Sequence, residues 1–168
     1  MQLQDDDFKL LGLQAQYAID LTQLTSQWKL AMGAAHPDRF AQAGAQAQRL
    51  AVQWSVRLNE AYQRLKHPLK RAAYLCELRG APIAAENNTA MPAAFLMQQM
   101  QWREDLDEAI SDADRTAVKA ALKVALKAQA AEYAQDLTRQ LDVQNDPAAA
   151  AQTVRACLYV DKFLSQIK

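Results

Sequence analysis

Side chains that usually carry chemistry are scarce in this sequence. It has two cysteines, Cys76 and Cys157, far apart and outside any C-x-x-C pair, so neither a disulfide framework nor a zinc site is expected. They read as small buried hydrophobes. The two histidines, His36 and His67, each lack a second ligand nearby, and no metal site is expected. No nucleophile–base pair, Gly-rich phosphate loop or spaced pair of carboxylates stands out, so nothing supports an enzyme and no cofactor is expected. No apolar run approaches the roughly 20 residues that cross a bilayer. The first residues carry Asp5, Asp6 and Asp7, with neither the basic nor the apolar region of a signal peptide. A cytoplasmic protein with no membrane association is expected.

Charge of one sign is also missing. The chain has 19 basic and 19 acidic residues, and nucleic-acid affinity depends on neutralising phosphates, so a nucleic-acid partner is not expected. The one basic group, Lys66, Lys70, Arg71 and Arg79, reads as a solvated helix face.

Only 4 glycines and 5 prolines punctuate 168 residues, and runs of β-branched residues are few. Ala, Gln and Leu are abundant, 51% of the chain is hydrophobic, and an all-α fold with a packed core follows. Asp5 to Asp7 cap and charge a short first helix bearing Phe8, Leu11 and Leu13. Thr22 is the expected cap of a second helix, with Leu21, Leu24, Trp28 and Met32 at helical spacing. It must stop near His36, because Pro37 pushes the residue before it out of the α region. A third helix is expected from Ala45 to Lys66, with Leu50, Trp54, Leu58, Ala61, Tyr62 and Leu65 as one buried stripe. A fourth runs from Leu69 to Leu78 and is capped by Gly80.

Residues 80–91 then hold turn formers and little periodicity, and read as a domain linker. Pro92 opens a fifth helix ending near Ile110. Ser111 or Asp112 caps a sixth, reaching Leu141 with Val118, Leu122, Leu126, Tyr133 and Leu137 on its buried side. Asp146-Pro147 starts a seventh. The last three predict a bundle.

Between helices two and three stands Ala35-His36-Pro37-Asp38-Arg39-Phe40. Pro37 fixes its own φ and extends the backbone before it, so the turn is stiff. His36 and Asp38 flank that point with a ring and a carboxylate, at a hairpin tip that a partner can reach. The competing reading is a plain helix-to-helix turn. Context favours the former: a short helix, a helix ending at His-Pro-Asp, a longer one carrying Leu58-Asn59-Glu60-Ala61-Tyr62, then Pro68-Leu69-Lys70-Arg71-Ala72.

That succession resembles the J-domain family, whose members stimulate ATP hydrolysis by DnaK-type chaperones. The resemblance implies that His36, Pro37 and Asp38 contact the chaperone's nucleotide-binding domain and interdomain linker, from outside the ATP site. Lys29 and Arg39 are the basic residues available beside them. Helix two of such domains usually carries several cations. Gln27, Gly33, Ala34 and Ala35 stand here where Arg, Lys or Tyr are common, so steering by charge should be weak. Either the chaperone is a specialised one or affinity comes from elsewhere.

In the second half, Phe95, Trp102, Leu106 and Ile110 fall along one side of helix five. Leu96, Met97 and Met100, with Arg103, Glu104 and Asp107, fall on another, roughly 130° away. An apolar patch edged with charge is what a partner-binding surface looks like, and methionine suits it. A helix buried on two sides is the alternative. The stretch is similar to the scaffold-binding helix of the HscB family, the J-proteins of iron–sulfur cluster assembly. Phe8-Lys9-Leu10-Leu11-Gly12-Leu13, His67-Pro68-Leu69-Lys70-Arg71-Ala72, and Thr153-Val154-Arg155 with Asp161-Lys162 extend the likeness over nearly the whole chain.

This resemblance implies an L-shaped, all-α molecule with a J-domain over 1–79, a linker over 80–91 and a three-helix scaffold-binding domain over 92–168. It implies a non-enzymatic co-chaperone that binds an IscU-type scaffold and delivers it to an HscA/DnaK-type chaperone whose ATPase it stimulates. A J-domain co-chaperone for a different client is the alternative. Leu96, Met97, Met100, Arg103, Glu104 and Tyr159 would receive the scaffold, and the cluster would be held there, not here. Gln101 replaces a common acidic residue, removing any salt bridge at that place. Eukaryotic relatives carry a zinc-binding cysteine cluster near the N-terminus, and its absence points to a bacterial form.

Overall fold

The computed structural model describes residues 2–40, 42–83 and 93–167. Among them every regular element is helical: α1 (Asp7–Leu10), α2 (Leu21–Ala35), a 3₁₀ turn (Pro37–Phe40), α3 (Ala45–Lys66), α4 (Pro68–Leu78), α5 (Ala93–Asp107), α6 (Asp112–Thr138), a π-helical turn (Arg139–Val143) and α7 (Pro147–Gln166). The chain divides into two compact units, Met1–Leu75 and Cys76–Lys168, so the division falls inside α4. The expected linker lies largely outside the described residues, as does Pro92.

In the first unit the acidic triplet divides its labour. Asp6 is the cap, accepting from Lys9 N at 2.9 Å. Asp7, expected to cap, is fully buried instead. Its carboxylate meets Arg57 at 2.7 Å and Arg64 at 2.9 Å, both from α3, while its N–H donates to Tyr74 Oη at 3.0 Å. Burial of that charge is tolerable because two guanidiniums face it.

Helix α1 ends before Leu11 and Leu13, which were expected on it. Gly12 adopts φ +63°, Leu13 N donates to Phe8 O and Gly12 N to Lys9 O. This is a Schellman closure, which needs the left-handed residue that glycine supplies. The same closure ends α4, with Gly80 at φ +81°, Ala81 N on Cys76 O and Gly80 N on Glu77 O.

The cap of α2 is Asp20 rather than Thr22. Its Oδ1 accepts from Thr22 N at 2.7 Å and Gln23 N at 3.3 Å. Thr22 lies inside the first turn, where it supplies an orphan N–H instead of satisfying one.

The stripe on α3 is buried only from Ala51 onward, at Ala51, Leu58, Ala61, Tyr62 and Leu65. Trp54 is half-buried and Leu50 is 47% exposed, contrary to expectation. Facing them α2 offers Ala31, Ala34 and Ala35, too short to fill the space, and an open apolar cleft of about 310 Å³ remains. Lower in the hairpin Trp28 stacks on Tyr62 with centroids 4.5 Å apart, and the packing is full.

The supposed solvated basic face is also corrected. Lys66 and Lys70 are exposed, but Arg71 is buried, donating from Nε to Tyr17 O at 2.8 Å and from Nη1 to Leu65 O. A guanidinium can be buried where carbonyls satisfy its fork. Arg79 is half-buried, with Nη1 on Leu141 O within the second unit.

In the second unit Phe95 and Trp102 of α5, Leu122 and Leu126 of α6, and Ala156, Val160, Phe163 and Ile167 at the chain's end form one core. Helix α5 stops at Asp107, three residues short of Ile110. Ile110 is wholly exposed and does not continue the buried side. The chain leaves the helix there to place Ser111 as an extended cap, whose hydroxyl accepts from Asp114 N. Helix α6 spans 27 residues and gives way to the π-helical turn before Leu141, although Leu137 and Leu141 are both buried as expected. Asn145, at φ +50°, ends that turn. Asp146 then caps α7, accepting from Ala149 N at 3.0 Å, with Pro147 in its first turn.

Candidate partner-binding sites

The His-Pro-Asp turn follows directly from the helix stop. His36 is extended, at φ −62° and ψ 127°, as the residue before a proline must be. Pro37 to Phe40 then wind one 3₁₀ turn. The His36 side chain is 53% exposed and that of Asp38 is 90% exposed. Asp38 N donates to His36 Nδ1 at 3.3 Å. The Asp38 carboxylate lies 3.5 Å from the same Nδ1, a contact that becomes an ion pair when the ring is protonated. The tip thus presents a carboxylate and a ring N–H on a stiff support.

Arg39 is exposed but turns back, donating from Nη1 to Gly33 O at 3.2 Å. Lys29 is exposed on α2. Beside it Leu30 is 70% exposed, which the sequence reading missed. The signal was present, because Leu30 lies off the spacing that joins Leu24 to Trp28 and Ala31.

The second site is the outer side of α5. Phe95, Gln99 and Trp102 are buried and Leu106 is half-buried, which defines the inner side. Leu96, Met97 and Met100 are 45%, 72% and 62% exposed. The reading in which α5 is buried on two sides is therefore not what the unit adopts. Arg103 and Glu104 are exposed on the same outer side. Arg103 Nη2 donates to Tyr159 Oη at 3.1 Å, which joins α5 to α7 at the edge of the patch.

Tyr159 is half-buried, edge-on to Phe95 at 5.7 Å and stacked on Phe163 at 6.3 Å. Its ring belongs to the core and its hydroxyl to the surface. Gln101 donates to Asp105 Oδ1 at 2.9 Å. The six scaffold-binding candidates lie on α5 and α7; of the five chaperone-binding candidates, His36, Pro37, Asp38 and Arg39 lie at the turn and Lys29 lies further back on α2.

Burial pushes the Cys76 thiol up to about 11 and that of Cys157 up to about 12. Cys76 is buried as expected, whereas Cys157 is only half-buried. Among the described residues no three His, Cys, Asp or Glu side chains gather as metal ligands, and no helix is long and apolar enough to cross a membrane.

Residues 91–168 match the family described as the HSCB C-terminal oligomerisation domain. The co-chaperone protein HscB homolog of Bordetella petrii is 47% identical, over 97% of this chain and 94% of that protein. The solved chaperone HscB from Vibrio cholerae superposes with a TM-score of 0.78 at 34% identity, covering 97% of this chain and 95% of that one. Human co-chaperone HscB shares the fold, with a TM-score of 0.82 at 24% identity over 99% of this chain and 82% of that one. With such identity to a relative over nearly the full length of both, the chain belongs to the HscB family of co-chaperones, the J-type co-chaperones of iron–sulfur cluster assembly.

Proposed function

We propose that this chain binds an IscU-type iron–sulfur scaffold on the outer side of α5 and hands it to an HscA/DnaK-type chaperone, whose ATPase it stimulates through His36, Pro37 and Asp38. The observation that carries this reading is the exposure of Leu96, Met97 and Met100 beside Arg103 and Glu104. Three large apolar side chains in a row on a helix that already has a full inner side have no use within their own unit. Met97 and Met100 adapt to a partner's contour, and Arg103 and Glu104 fix its register.

The reading assigns residues 1–79 to the chaperone and 92–168 to the scaffold, with 80–91 joining them. Lys29 and Arg39 supply what charge there is beside the turn. The cluster stays on the scaffold, the chain performs no chemistry and holds no cofactor, and the work is done in the cytoplasm without nucleic acid or membrane.

Replacing Leu96, Met97 and Met100 together by alanine tests it. Central apolar contacts at an interface typically cost over ~1 kcal/mol each when truncated, so scaffold affinity by calorimetry should fall about a hundredfold. Stimulation of the chaperone in the scaffold's absence should stay normal. Unchanged scaffold affinity would contradict the assignment. If a pull-down instead recovers a different client that the same variant loses, the chain is a J-type co-chaperone for that client.

A further inference from the structure

Helix α2 ends with no basic side chain in its last turn. The last four carbonyls of a helix have no partner within it, and those of α2 lie directly ahead of His36. Two of them are met from outside the helix. Arg39, beyond the turn, donates to Gly33 O at 3.2 Å. Ser55, across the hairpin on α3, donates to Ala35 O at 3.2 Å, sharing its one proton with Ala51 O at 3.0 Å. Ala51 O is an interior carbonyl of α3, already within the helical ladder. Ala35 O belongs to the residue next to His36, and the Ser55 bond reaches it over 20 residues of sequence.

Packing does little of this work. The space beneath the turn is the open cleft of about 310 Å³, where Ala31, Ala34 and Ala47 face Trp54 and Phe40 without filling it. With the cleft beneath it unfilled, the turn leans on its polar ties more than a fully packed one would.

From this geometry we infer that Ser55 and Arg39 are positioning residues that fix the His-Pro-Asp turn by capping the end of α2. The inference rests on the proposed chaperone-engaging role of that turn. Neither residue needs to touch the chaperone to act. Loss of either tie lowers the fraction of molecules with the turn in its docking geometry, and apparent affinity falls by that fraction while the docked complex is unaltered.

The test is chaperone ATPase titrated with full-length Ser55→Ala, Ser55→Thr, Arg39→Lys and Asp38→Asn. Alanine is a good helix former, so Ser55→Ala should fold, as far-ultraviolet circular dichroism would check. Loss of one hydrogen bond should raise the half-maximal concentration by up to about fivefold for Ser55→Ala, with the same plateau. Ser55→Thr keeps the hydroxyl and should restore the original value. Arg39→Lys keeps the charge but is shorter and loses the planar guanidinium whose Nη1 reaches Gly33 O, and should behave like Ser55→Ala. Amide exchange at Asp38 and Arg39 should quicken in Ser55→Ala and return in Ser55→Thr.

A variant with unchanged half-maximal concentration removes its residue from the positioning role. A fall in plateau rather than affinity overturns the inference as a whole. Asp38→Asn separates the two levels. Normal stimulation there contradicts the chaperone-engaging role itself, whereas lost stimulation with Ser55→Ala and Arg39→Lys unaffected contradicts only the positioning.

Discussion

At the residue scale, His36 and Asp38 take the exposure that their local chemistry dictates. His36 and Asp38 flank a proline at a helix stop, and they could only be at the tip. Asp7 and Arg71 were not legible. An acidic triplet near a helix start reads as a cap, and a cation in a basic group reads as solvated. What buries them comes from far along the chain, Arg64 for Asp7 and Tyr17 for Arg71.

Asp7→Asn leaves two guanidiniums facing a neutral amide. Arg57 and Arg64 keep 22% and 40% of their side chains exposed, so solvent screens part of the loss. Urea unfolding should show about 1–3 kcal/mol of destabilisation, and a change within a few tenths would mean that the ion pairs contribute nothing.

Thiol burial gives a second prediction at this scale. Burial pushes the Cys76 thiol up to about 11 and the Cys157 thiol up to about 12, from an ordinary value of 9.0. The unfolded chain therefore releases these protons first as pH rises, and stability should decline from about pH 9 upward while remaining unaffected by these groups below pH 8. Unfolding midpoints measured at pH 7.5 and 10, in wild type and in Cys76→Ala with Cys157→Ala, should differ more with pH in the wild type. Equal pH dependence would contradict the assignment.

At the scale of elements, start and stop signals carried most of the fold. Gly80 past Leu78, Pro147 after Asp146 and Pro37 after His36 each mark a boundary by backbone restriction, and each falls where expected. The π-helical turn after Thr138 was invisible, because Leu137 and Leu141 keep α spacing across its start and no glycine or proline announces it. The end of α5 was misplaced because Ile110 continues the apolar period although the chain has already left the helix. The upper end of the α3 stripe was misjudged for another reason. Periodicity says which side faces the neighbour, not whether the neighbour's alanines are long enough to meet it.

Gly80→Ala puts a Cβ on a residue at φ +81°, in space with nothing within 4 Å, so the penalty is backbone strain alone. It should lower stability by about 1 kcal/mol, read as a fall in the urea midpoint, and no change would contradict the closure described.

At the scale of the whole molecule, two separate surfaces sit on one chain. The turn stands over a cleft that its neighbours leave unfilled, and Leu96, Met97 and Met100 on the outer side of α5 remain exposed. The contacts of Cys76 to Ile83 go with the second unit, so by contacts the division lies inside α4, whereas composition shifts at Gly80. Under the proposed function, covalent linkage of the two surfaces would make a scaffold bound at one present to a chaperone at the other at an effective concentration set by the chain between them.

Steady-state chaperone ATPase tests this most directly, titrated with wild-type protein and with Asp38→Asn, each with and without scaffold. Wild type should stimulate alone and at lower concentration when scaffold is added. Asp38→Asn should bind scaffold normally and stimulate under neither condition. Equal stimulation by the two proteins, or no response to scaffold in the wild type, would contradict the account.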